Sequence, residues 1–154
     1  MSSLAHQTLV EHQILEHVKD ALRLTLEMKV TSTSLSRKLS SVRFMAQSFQ
    51  RHLDRLLNME EDGGYMDLVR QRRPHLFEVA SQLRSEHIEF RQRLSQLVQG
   101  LDQLDAEPSS AADEERFNGV CFKLHDLVER LDEHEAKEID LLEQVLIDPV
   151  SPAG

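Results

Sequence analysis

The chain has one cysteine, no tryptophan, one tyrosine, five glycines and four prolines in 154 residues. A single cysteine, Cys121, excludes an internal disulfide framework. Scarce glycine and proline leave few places to break a helix. Aromatic residues make up only 5%, and no stretch alternates β-branched and polar residues, so strands have little to be built from. No run approaches the ~18 consecutive apolar residues that a membrane-spanning helix needs. The N-terminal stretch lacks the basic flank and apolar run of a secretory leader. Positive charge is also short, with 18 Lys and Arg against 27 Asp and Glu and a net charge of -9. A nucleic-acid binder presents a basic face. The one dense basic cluster, Arg70, Arg72 and Arg73, reads as a solvated turn. The expectation is a soluble cytoplasmic protein with no membrane and no nucleic-acid partner.

What is abundant is Leu, Glu, Gln, Arg and Ala, all good helix formers. The length suffices for one domain with a real core. Four long helices are expected. The first runs from about Ser3 to Glu27, with Leu15, Val18, Leu22 and Leu26 on one face. Thr31 to Ser34 breaks it and offers N-caps for the next. The second runs from about Leu35 to Glu61 and stops at Gly63-Gly64, which suits a helix C-terminus. A short helical turn follows at Tyr65 to Gln71. The third starts at Pro74, which fits a first turn, and continues to about Leu104. The segment from Ala106 to Ala112 is a loop, and the fourth helix runs from about Asp113 to Leu146. Short connections between long helices imply an all-α, antiparallel up-down four-helix bundle over residues 1–147. Residues 148–154 form a non-helical tail.

The leucine stripes are interrupted by polar residues. On the fourth helix, steps of three and four give Phe117, Val120, Leu124, Leu127, Leu131, His134, Glu138, Leu141 and Val145. His134 and Glu138 lie one turn apart on the face meant for the core. Burying such a pair costs several kcal/mol, in the range of about 2–7, unless something compensates it. A metal ion is one compensator. The third helix places His87 on its stripe, the second Glu60, and the first His12. Imidazole and carboxylate together suit Fe, Zn or Mn. Counted from the turns at a rise of about 1.5 Å per residue, His87 and His134 differ in level by about 4 Å, and His12 and Glu60 by about 12 Å. The first pair fits one site, and the second fits poorly.

The stretches Leu57-Asn-Met-Glu-Glu-Asp-Gly-Gly-Tyr65, Ser85-Glu-His-Ile-Glu-Phe-Arg91 and Glu133-His-Glu-Ala-Lys-Glu138, with His12 in Glu11-His-Gln-Ile-Leu, resemble the hemerythrin-like (HHE cation-binding) family. The resemblance covers about residues 5 to 147 and rests on motif order, since each motif is short. It implies a four-helix bundle holding non-haem iron, with His12, Glu60, His87, His134 and Glu138 as metal ligands. It implies dioxygen or another small oxidant as the molecule sensed or carried, or iron as the ion stored. One position departs from the pattern. The family's second helix carries a His four residues before Glu60, where this chain has Leu56. His52, one turn earlier, is a substitute to be considered, although helical side chains lean toward the N-terminus and carry His52 away from Glu60. The outcomes left open are a ligand-poor dinuclear site, a mononuclear site and no site.

Plain alternatives accompany each residue. A buried His-Glu pair can be hydrogen-bonded without metal, Glu60 can reach solvent at a helix end, and His12 can lie on the surface. His6, His17, His75 and His125 are bystanders. Phe49, Phe77, Phe90, Phe117 and Phe122 read as packing, and Cys121 as a buried, inert thiol. No Glu-x-x-His pair, H-E-x-x-H motif, phosphate loop or G-x-S-x-G elbow occurs. No acid/base pair argues for turnover, so an enzyme is not expected. The rival class is a metal-free helical module that acts by protein interaction. Homodimerisation is open.

Overall fold

The computed structural model describes residues 3–28, 35–62, 65–108 and 110–146, which are almost wholly helical and contain no strand among the described residues. The helices are α1 (Ser3–Glu27), α2 (Leu35–Asp62), α3 (Tyr65–Arg72), α4 (Phe77–Asp102) and α5 (Ala111–Leu146), with a 3-10 turn at Pro74–Leu76. The caps expected at Thr31 to Ser34, the Gly63-Gly64 stop and the tail at 148–154 lie outside the described residues. None of the described helices is long and apolar enough to cross a membrane.

The helical turn expected at Tyr65 to Gln71 is the eight-residue α3, one residue longer and anchored by the buried Val69. Its basic residues Arg70 and Arg72 are exposed, and each also makes one contact: Arg70 lies over the Phe77 ring at 4.7 Å, and Arg72 donates to the Val145 carbonyl at 3.4 Å. Pro74 opens a 3-10 turn rather than α4 itself. The start of α5 is fixed by Ser110, whose Oγ accepts from the Asp113 N–H at 3.1 Å. That bond satisfies one of the orphan amides of a helix N-terminus. Asp113 and Glu114 in the first turn add favourable charge there. At the same end of the molecule, the first turns of α2 supply cations to the C-terminal ends of α1 and α4. Lys38 donates to the carbonyls of Leu26 and Met28, and Arg43 to those of Leu101 and Leu104.

α1 packs on α2, α2 on α4, α4 on α5, and α5 returns to α1. The apolar interior falls into two parts. The larger runs through Leu15, Leu22, Val42, Phe49, Leu53, Leu56, Phe90, Phe117, Leu124 and Leu131. The smaller joins Val69, Ala80, Leu83, Leu141 and Val145. Along α2, α4 and α5 the buried residues at or next to the junction are polar: Glu60, His87, His134 and Glu138. A polar layer therefore interrupts the core. Phe122, expected to pack, is instead 76% exposed, because Cys121 and Leu124 take the inward positions of that turn. Cys121 is buried, and burial pushes its thiol up to about 11.

Candidate metal centre

All five residues singled out from the stripes meet in this layer. The donor atoms of His87, His134 and Glu138 lie within 4.8 Å of one another, as do those of His12, Glu60 and Glu138. Glu138 belongs to both groups. His87 Nε2 is 3.5 Å from Glu138 Oε2 and 3.4 Å from Glu60 Oε2, and His134 Nε2 is 3.4 Å from Glu138 Oε2. On the α1 side, His12 Nε2 is 3.1 Å from Glu60 Oε1. The His87 and His134 rings meet edge to face with centroids 5.0 Å apart, and Phe90 closes on His134 at 5.1 Å.

Burial separates the two groups. His87, His134, Glu60 and Glu138 are buried, while the side chain of His12 is 24% exposed. Four of the inner atoms, Glu60 Oε2, His87 Nε2, His134 Nε2 and Glu138 Oε2, have no aligned hydrogen-bond partner despite being this close together. Buried polar atoms left in that state cost about 1–3 kcal/mol each. Donors held about 2.1 Å from one ion are about 3.0–3.4 Å apart at octahedral or tetrahedral angles. The observed spacings need only small shifts to reach that range. The donor set of imidazole and carboxylate also suits a borderline divalent ion.

The outward face of each imidazole is equally ordered. His87 Nδ1 faces Glu61 Oε1 at 3.3 Å, His134 Nδ1 faces Glu86 Oε1 at 3.4 Å, and His12 Nδ1 faces Glu135 Oε2 at 3.5 Å. Each carboxylate adjoins a residue of the inner cluster in sequence yet serves the imidazole of another helix. Glu61 of α2 serves α4, Glu86 of α4 serves α5, and Glu135 of α5 serves α1. A carboxylate behind the second ring nitrogen fixes which nitrogen carries the proton and leaves the other free to coordinate. Sequence reading missed these three residues. Their position next to a candidate ligand was the available signal.

His52 is not brought to the cluster. Its Nδ1 pairs with the buried Glu11 of α1 at 2.8 Å. The lean of helical side chains toward the N-terminus carries it away from Glu60, so it does not join the cluster as a substitute ligand. Leu56 is 2% exposed and faces the core one turn before Glu60, as an alkyl group beside the polar layer.

Electrostatics follow from this packing. Burial works to lower the His12 pKa, but contacts with Glu135 and Glu60 raise it to about 10. Burial raises Glu60 to about 8, helped by Glu138 and opposed by His12. Glu138 is held below the usual carboxylate range, since its contacts with His134, His87 and Glu60 outweigh its burial. His134 is raised in turn, because Glu138 and Glu86 outweigh desolvation. Glu60 and Glu138 are thus pushed in opposite directions, Glu60 toward the protonated form and Glu138 toward the ionised one. The cluster offers an ionised carboxylate and imidazoles to a cation, and holds protons where one would bind. A cavity of about 160 Å³ between α4 and α5, bordered by Glu86, Glu89, Phe90 and Glu133, reaches His134 from outside.

No protein-family model, curated protein or solved structure matches the chain.

Proposed function

We propose that the chain is a non-haem metal-binding protein that holds a divalent transition-metal ion, iron by the resemblance, in an antiparallel up-down four-helix bundle of hemerythrin-like type. One observation carries the reading. Four unpartnered buried donor atoms from three helices lie in successive contacts of 3.4–3.5 Å, in a layer that interrupts an apolar core. His87, His134 and Glu138 make the better-shielded half of the ligand set. His12 and Glu60 make the second half, with Glu138 between them. Leu56 leaves that second half one imidazole short of the family pattern. Iron held there would supply redox chemistry toward dioxygen or another small oxidant, which suits sensing, carrying or storage. The chain's own residues shield the ion, fix the imidazoles through Glu61, Glu86 and Glu135, and exchange protons at His12 and Glu60. Among the described residues no acid/base pair outside the cluster argues for turnover, which favours a binding role over an enzymatic one.

Anaerobically purified protein should carry iron, and His134→Ala should remove most of it. Adding Fe(II) to metal-free protein should raise its thermal stability, by about 2.7 kcal/mol at a hundredfold excess over Kd. Metal-free protein whose melting is unmoved by Fe(II), Co(II) or Zn(II) would sink the reading. The second reading is a metal-free interaction module. Leu56 at the cluster and the exposed Phe44 and Phe122 favour it.

A further inference from the structure

Lys19 is among the largest fully buried side chains of the described residues, 1% exposed on the α1 face that also carries Leu15 and Leu22. Its ammonium donates to Glu135 Oε1 at 2.7 Å, Asp132 Oδ1 at 2.8 Å and Glu16 Oε2 at 2.9 Å. Three carboxylates around one point form a cation site, and here the cation is part of the chain. Arg23 adds a second tie to Asp132.

The two oxygens of Glu135 are divided. Oε1 accepts from Lys19, and Oε2 faces His12 Nδ1 at 3.5 Å. Glu135 also lies three residues before Glu138, so its carboxylate is on a neighbouring face of α5 and within a side chain's reach of the cluster. Left free, it could turn inward and compete as a ligand, or turn to solvent and release His12. A buried ammonium among carboxylates is a poor source of stability compared with an apolar side chain. Geometry is what it supplies. We propose that Lys19 is a positioning residue for the metal centre: it pins Glu135 outside the ligand set, so that Glu135 takes the proton-bearing Nδ1 of His12 and leaves Nε2 to the metal. This rests on the metal reading above and concerns the half of the site built on α1. Outer carboxylates of this kind change metal affinity by roughly ten- to a hundredfold.

The test is a set of Co(II) and Zn(II) titrations on the full chain. Glu135→Gln leaves Lys19 paired with Asp132 and Glu16, so the α1–α5 contact survives. It should weaken binding by roughly tenfold or more. In a His12→Ala background the same change should have no further effect, because the two residues act through one another. Lys19→Met should reproduce the loss of Glu135→Gln, and Lys19→Arg, which keeps the charge, should restore most of the affinity. Lys38→Met is the control: it removes another buried lysine, one that caps α1 and does not touch the cluster, and it should leave affinity unchanged. In the zinc-loaded protein the His12 Nδ1–H should give a slowly exchanging NMR signal that Glu135→Gln abolishes. Wild-type affinity in Glu135→Gln, or a loss that persists undiminished without His12, would overturn the proposal. A loss in Glu135→Gln but not in Lys19→Met would overturn the part played by Lys19. A wild-type chain that binds none of these ions would overturn the metal reading itself, and this inference with it.

Discussion

His12 and Glu60 meet from levels two helical turns apart, with His12 Nε2 3.1 Å from Glu60 Oε1. The level is fixed independently by the neighbouring pair Glu11 and His52, in contact at 2.8 Å. Measured from His52, Glu60 is two turns further along α2, about 12 Å at 1.5 Å per residue. The gap closes because side chains on a helix lean toward its N-terminus. The N-terminus of α1 points the same way as the C-terminus of α2, so the two side chains lean toward each other. Glu60 then touches His87 and completes the link between α1 and the buried half of the cluster.

The first prediction concerns protons. In the metal-free chain His12 is raised to about 10 and Glu60 to about 8. Both shifts are upward, so both groups bind protons more tightly folded than unfolded. The His12 contribution to stability is complete below its unfolded value near 6.5 and is lost as the pH rises through about 10. Glu60 acts in the same direction, and its burial destabilises progressively between about 4.5 and 8. A metal ion needs the deprotonated forms, so its binding near neutral pH must expel protons and tighten as the pH rises. Titration calorimetry of Zn(II) in two buffers of different ionisation heat should give different apparent enthalpies. Identical values would mean that these groups do not ligate.

The inner cluster was legible from the leucine stripes because a polar residue on an apolar face is informative by its position alone. His134, Glu138, His87 and Glu60 were found in this way, and all four are buried. Lys19 satisfies the same rule, standing four after Leu15 and three before Leu22, while the half-buried Val18 beside it also fits the apolar stripe. A charged residue is ordinarily read as solvated, and what buries Lys19 is Glu135 and Asp132, more than a hundred positions away. The outer carboxylates Glu61, Glu86 and Glu135 were hidden for the same reason, since each serves a different helix from its own. The level count for His12 and Glu60 failed because it placed backbones and ignored the direction of side chains.

The second prediction addresses the start of α5. Ser110 Oγ satisfies the Asp113 amide at 3.1 Å, and the Ser110 carbonyl accepts from the Glu114 N–H in the same turn. Ser110→Ala removes the side-chain acceptor only. It should cost about 1 kcal/mol, a fall of about 2–4 °C in melting temperature for a chain of this size. Metal affinity should be unchanged, because the cap is at the far end of α5 from His134. A melting temperature equal to wild type would show that the cap does not contribute.

The third prediction uses Leu56. It is buried, one turn before Glu60 and on the same face. Leu56→His places an imidazole one turn before Glu60 on the same helix face, within reach of its neighbourhood. If the side chain at this position borders the metal layer, the variant should bind iron more tightly or in greater amount than wild type. It should also destabilise the metal-free protein, by about 1–3 kcal/mol for a buried polar group without a full set of partners. A folded variant with unchanged iron content would place residue 56 outside the ligand sphere.

The last prediction separates a metal site from a structural hydrogen-bonded pair. His134 and Glu138 are both 2% exposed, with facing atoms 3.4 Å apart and neither Nε2 nor Oε2 in an aligned hydrogen bond. Loss of metal binding is the readout that marks the pair as ligands, because removing both partners of a buried polar pair can be neutral or stabilising in either case. A pair kept for a cation carries a desolvation cost that the metal-free fold bears without return. Replacing a buried ionic pair by apolar groups of similar volume is often neutral or stabilising by about 1–4 kcal/mol. His134→Leu combined with Glu138→Leu would join the two apolar clusters through α5, because Leu131 and Leu141 flank the pair on the same face. The double variant should therefore melt at or above the temperature of metal-free wild type while binding no metal. Each single variant should be less stable than the double, since it strands the remaining partner. A double variant markedly less stable than metal-free wild type would mark the pair as part of the structural core, and the metal reading would lose its best-shielded ligands.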